Sequence, residues 1–100
     1  MTKYEEEVFT EEKIEVKEPS MYKVILHNDD YTPMDFVVLI LMKFFNHIEE
    51  DAFRIMYLVH NTGIGVCGEF TKEIAETKVS LVSSYAKEQQ HPLKCTMEKK

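Results

Sequence analysis

Asn28, Asp29 and Asp30 stand in a row, and His60 follows later in the chain. A carboxylate and an amide oxygen accept hydrogen bonds, and a neutral imidazole accepts one more, so the set can hold a primary ammonium such as a free α-amino group. The same residues also make an ordinary turn, with the NDD run satisfying backbone donors and His60 favoured at the negative end of a helix. On spacing alone that plainer reading stands ahead. A second set is apolar: Met34, Val37, Met56, Val59 and Leu93. Methionine is unbranched and adaptable, so such a set can line a pocket that accepts side chains of different shapes. Helical periodicity alone reads it as core.

Other chemistry finds less support. His27, His47, His60, His91 and the two cysteines, Cys67 and Cys95, show neither CxxC nor HxxxH spacing, so no metal is expected, and no cofactor motif appears. A hydrolase built on Asp30 and His60 would need Thr32 or Cys67 as nucleophile and lacks identified oxyanion donors, so an enzyme is not expected. Of the formal charge of −6, residues 1–20 supply most, with seven Glu against three Lys. The rest is nearly balanced and has no Arg/Lys stripe, which argues against nucleic acid or an anionic membrane as partner. Two separated cysteines and no secretory apolar region imply a reducing, cytoplasmic setting. The longest apolar run, Phe36 to Met42, is too short to span a bilayer.

One hundred residues with 44% hydrophobic content suit one core. Residues 1–20, ending Glu18-Pro19-Ser20, read as a flexible acidic extension, and residues 21–100 as the folded domain. Tyr22, Val24 and Leu26 alternate with Lys23 and His27, the pattern of a half-buried strand, and Asn28 and Asp30 continue the buried parity. Thr32 suits a helix N-cap, Pro33 the first helical position, and Asp35 the positive helix end. Met34, Val37, Val38, Leu41 and Phe45 then recur at helical spacing. Asn46 with Glu49 reads as the reciprocal cap of a second helix that ends at Gly63. Met56, Val59 and His60 share one face of that helix. Ile64 to Glu69 is a short strand, Thr71 caps a third helix to about Gln89, and Leu93 to Glu98 alternate as a last strand. The order is β-α-α-β-α-β.

Several runs together resemble the ClpS family, the bacterial adaptors of the N-end rule pathway. They are Ser20 to Leu26, NDDYTPM over residues 28–34, Asp35-Phe36-Val37, Met56 to His60, Val66-Cys67-Gly68, Phe70-Thr71, AETK over residues 75–78, and His91-Pro92-Leu93. The match spans about residues 20–98. It implies an α+β fold, a compact α/β sandwich with a three-stranded antiparallel sheet on three helices. It also implies a non-enzymatic adaptor that binds N-terminal segments of substrate proteins beginning with Leu, Phe, Tyr or Trp. Such an adaptor delivers them to the N-domain of a Clp AAA+ unfoldase, ClpA- or ClpC-like, for degradation by ClpP. By this resemblance Asn28, Asp30 and His60 hold the α-amino group, with Asp29 in the motif but aimed elsewhere by strand parity. Met34, Met56, Val59 and Leu93 line the side-chain pocket, Thr32 and Val37 lie close by, and Met34 excludes β-branched residues. Tyr31, Glu73 and Lys78 are implied in unfoldase docking. The alternative is an interaction module that docks on an unfoldase through the third helix without reading N-termini.

Overall fold

Alternation along Met21–His27 buries Val24 and Leu26 completely, and the face they form decides the architecture. A computed structural model describes residues 19–100. They form β1 (Met21–His27), α1 (Met34–Phe45), α2 (Glu49–Thr62), β2 (Ile64–Thr71), α3 (Lys72–Glu88) and β3 (Lys94–Lys99). The sheet order is β2-β1-β3, with both pairings antiparallel. The β-α-α-β-α-β order and the α+β sandwich are those read from the sequence. The acidic extension falls, for residues 1–18, outside the described residues.

β1 is the central strand, so its inward residues meet small neighbours on one side and sulfur on the other. Leu26 pairs with Gly65 and with Cys95, and Val24 with Gly68 and Met97. Val24, Leu26, Cys67 and Cys95 join Val38, Ile40 and Leu41 of α1, Ile55 and Val59 of α2, and Val82 and Ala86 of α3 in one buried cluster. Glycine at position 65 has a steric reason. A Cβ built there would lie 2.6 Å from Val59 Cγ2 and 3.3 Å from the Ile55 carbonyl oxygen. Its absence lets α2 rest directly on β2.

The β1–β2 register shifts between Val24 and Ile25, which leaves Cys67 as the extra residue of a bulge. Its carbonyl oxygen accepts a hydrogen bond from His47 Nε2 at 2.6 Å. A carbonyl only accepts, so the His47 ring carries its proton on Nε2. This bond ties the α1–α2 connection to the sheet. Tyr85 secures α3 to α1, with its ring 5.7 Å from Phe36 and 5.6 Å from Phe44.

Several local expectations are corrected. Asn46 does not open α2. It closes α1 in the left-handed conformation at φ 55°, and α2 begins at Glu49 with no side-chain cap. Asparagine suits both positions, and here the helix-ending role wins. The positive end of α2 is met instead by Glu49, Glu50 and Asp51 in its first turn. Thr32 is not the N-cap of α1, because Pro33 holds that position and its carbonyl accepts from the Phe36 and Val37 amides at 3.1 and 3.3 Å. The Thr32 hydroxyl is drawn to a carboxylate instead. Thr71 does precede α3, but its side chain makes no capping bond. β2 runs two residues past Glu69, since Phe70 and Thr71 still pair with Tyr22 and Met21. β3 lies one residue later than the alternation implied, and α3 ends at Glu88.

Candidate functional site

α1 and α2 are joined by residues 46–48 alone, so they run back on each other and the start of α1 lies near the end of α2. β1 ends at the same place. A cavity of about 190 Å³ opens there, with Asn28, Asp29, Asp30, Thr32 and His60 as its polar lining and Met34, Val37, Met56 and Val59 as its apolar lining. Burial divides the two sets by depth. Val59, Met56 and Val37 are core residues that form the floor. Asn28, Asp30 and His60 are exposed, and Met34 keeps 41% of its surface exposed at the mouth.

The three polar residues of the NDD run have different partners. Asp29 is committed inward: Oδ1 accepts the backbone N–H groups of Tyr31 at 2.8 Å and Thr32 at 2.7 Å, while Oδ2 accepts the Thr32 hydroxyl at 2.7 Å. Partial burial by itself raises the Asp29 pKa, but those hydrogen bonds and the positive charge of His91 together hold the carboxyl below its usual 3.8. Asn28 uses its backbone N–H to bond the Gly63 carbonyl oxygen at 2.8 Å, which pins the end of β1 to the end of α2. Its side chain stays at the cavity, as does that of Asp30. Residues able to accept hydrogen bonds thus stand at the mouth of an apolar hole.

The remaining site residues named from the sequence are placed differently. Leu93 is buried in the core cluster and does not line the cavity. Tyr31, 81% exposed, follows the end of β1. Glu73 is exposed in the first turn of α3, next to Thr71, which pairs with the first residue of β1. The length of the strand thus separates these two. Lys78 is partly buried, and its ammonium donates to the Phe44 carbonyl oxygen at 2.7 Å while lying over the Phe45 and Phe70 rings at 5.8 and 5.7 Å. It caps the C-terminal end of α1. Sequence reading missed that role, as it missed the Gly63 carbonyl that receives Asn28.

Neither nucleophile suggested for an enzyme is activated. Burial pushes the Cys95 thiol up to about 12. Burial and the neighbouring Cys95 raise Cys67 further. The Thr32 hydroxyl is spent on Asp29. Among the described residues no group of three or more His, Cys, Asp or Glu could hold a metal ion, and no helix is long and apolar enough to cross a membrane.

The family model described as ATP-dependent Clp protease adaptor protein ClpS matches residues 17–96. The ClpS of Rhodospirillum centenum is 58% identical over 92 residues, which are 92% of this chain and 85% of that protein. The ClpS of Brucella canis is 56% identical over 93 residues, 93% of this chain and 80% of its own length. Among solved structures, Agrobacterium tumefaciens ClpS2 bound to L-phenylalaninamide superposes with a TM-score of 0.80 at 38% identity, covering 83% of this chain and 100% of that one.

Because the Asp29 carboxyl lies below its usual pKa in the folded state, the stability it contributes is present above pH 3.8 and is lost as the pH falls through the folded value. Asp29→Ala is expected to cost about 1–3 kcal/mol at neutral pH, with the gap from the parent closing in strong acid. Urea unfolding of both proteins at the two pH values measures it, and an equal gap at both would assign the loss to packing.

Proposed function

The chain belongs to the ClpS family of ATP-dependent Clp protease adaptor proteins, and from that membership and the geometry of its cavity we propose how it selects what it delivers. It is an adaptor and not an enzyme. Its ligand is the N-terminal residue of a substrate protein, recognised by a free α-amino group and a large hydrophobic side chain. The observation that carries this reading is the meeting of exposed acceptors and a buried apolar floor in one cavity of about 190 Å³.

An α-ammonium offers three N–H donors and a positive charge. The Asn28 amide oxygen, the Asp30 carboxylate and a neutral His60 nitrogen offer acceptors at the mouth, and a charged donor strengthens each bond. An acetylated or internal amide has no charge and a single N–H, so it leaves the Asp30 charge unmatched. Specificity for a chain terminus follows.

The side chain then enters between Met34, Val37, Met56 and Val59. An apolar cavity of about 150 Å³ admits benzene, so this space suits one Leu, Phe or Tyr side chain better than a drug-sized molecule, whose pockets span roughly 300–1,000 Å³. Burial of a Leu- or Phe-sized group contributes about 1.5–3 kcal/mol. A branch at Cβ would meet Met34 at the mouth, and small polar residues would gain little from the floor. That the bound ligand of the Agrobacterium ClpS2 structure is an amide of phenylalanine supports this choice.

Delivery needs a second surface. The partner is a Clp protease with its unfoldase, and the N-domain of a ClpA- or ClpC-like unfoldase would meet the α3 edge that bears Glu73. Lys78 would shape that edge through its bond to Phe44. Tyr31 would contribute from beside the cavity. Residues 1–18 would serve as the segment the unfoldase engages.

Three outcomes test these roles. Asp30→Ala or His60→Ala is expected to weaken binding of a Phe-initiated peptide at least tenfold, about 1.4 kcal/mol, with the far-ultraviolet dichroism unchanged. Full affinity in a fluorescence titration would remove the acceptor set. Met34→Ala is expected to raise affinity for Ile- and Val-initiated peptides relative to Leu, and an unaltered ranking across a panel varied only at residue one would end its role as gate. Removal of residues 1–18 should leave peptide affinity intact and slow protease-coupled degradation. Equal degradation rates would show that the segment takes no part in delivery.

A further inference from the structure

The acceptors at the cavity mouth come from two elements that meet only at their ends. Asn28 and Asp30 follow β1, whereas His60 stands in the last turn of α2. Gly63 bonds to both. Its N–H donates to the Val59 carbonyl oxygen at 3.0 Å and closes α2, while its own carbonyl oxygen accepts the Asn28 N–H at 2.8 Å. The β1–β2 ladder adds its last rung, His27 with Ile64, immediately beside it.

Gly63 makes these two bonds from a left-handed conformation, φ 95° and ψ −26°. A Cβ built on it would meet nothing within 4 Å. Space is therefore free at this position and conformation is not. Glycine adopts this region at no steric cost, asparagine tolerates it, and a β-branched residue resists it. Asn46 of this chain also takes a positive φ, though at φ 55° and ψ 26° it lies some way from the Gly63 conformation.

Resting on the α-amino-group reading of the site, we infer that Gly63 is a positioning residue for ammonium recognition. Its left-handed turn fixes the separation between the His60 ring on α2 and the Asn28 amide after β1. The apolar floor depends on it less, because Met56 and Val59 are held by the core cluster and by the contact of α2 with Gly65. Substitutions at Gly63 should then follow tolerance of positive φ and not side-chain volume, and should affect the ammonium while sparing the pocket.

The test titrates the full chain, by NMR chemical shift, with L-phenylalaninamide and with 3-phenylpropanamide, which keeps the ring and the amide and lacks the amine. The parent is expected to prefer the amine at least about tenfold. Gly63→Asn should keep that preference within about threefold, and Gly63→Val should lose most of it while binding the amine-free ligand as the parent does. A Val variant that keeps the parent's preference overturns the inference, as does one that loses both ligands by the same factor. Should the Val variant not fold, Gly63→Ala decides: smaller than Asn, it should still lose more of the preference, and an Ala variant at least as selective as the Asn variant overturns the inference. A parent that shows no preference for the amine overturns instead the reading of the site.

Discussion

β1 is hydrogen-bonded along both of its edges, and everything at the site depends on where that double ladder ends. Up to His27 each main-chain polar group has a neighbouring strand to bond. Beyond it the chain must find other partners, since an unpaired polar group beside a core is costly. It finds them in three ways: Asn28 turns to the Gly63 carbonyl, Asp29 gathers the amides of the turn, and the Pro33 carbonyl receives the first amides of α1. The polar cluster lies against the apolar floor because the central strand of a sheet stops at the edge of its own core.

This arrangement also settles a conflict within the cavity. Buried carboxylates are expensive, and an apolar hole without polar groups could not tell a chain terminus from any exposed hydrophobic residue. Depth separates the two demands. Asp30 stays exposed at the mouth, the floor is made of buried apolar residues, and Asp29, the most internal carboxylate of the run, is satisfied by donors within its own turn. With the Asp29 oxygens occupied inside the turn, Asp30 is the carboxylate of the run left facing the cavity mouth.

Much of this was legible before any coordinates. Period-two alternation announced β1, but its parity does not carry past His27, since Asn28 and Asp30 are exposed and Asp29 is the least exposed of the three. Helical spacing put Met56, Val59 and His60 on one face, and all three line the cavity. The readings that failed rested on residues with two competing uses. Asparagine serves either end of a helix, so the sequence does not distinguish the two for Asn46, which closes α1. A threonine hydroxyl goes to whichever acceptor is nearest, and at Thr32 that was a carboxylate. Leu93 carried no sign to distinguish the buried cluster from the cavity beside it. The left-handed end of α2 at Gly63 is legible as a glycine helix end, whereas the full reason for Gly65 is three-dimensional, a Val59 methyl 2.6 Å from its missing Cβ.

Lys78 changes what the α3 edge can offer a protein partner. Its ammonium donates to a main-chain oxygen and lies over two aromatic rings, so the side chain is held in one place while its positive charge remains. That charge and those of exposed groups such as Glu73 act at a distance only over the roughly 8–10 Å that ordinary salt leaves unscreened. A partner meeting this edge would find a lysine whose place is already set, and would have to fit that geometry or break the bond to Phe44.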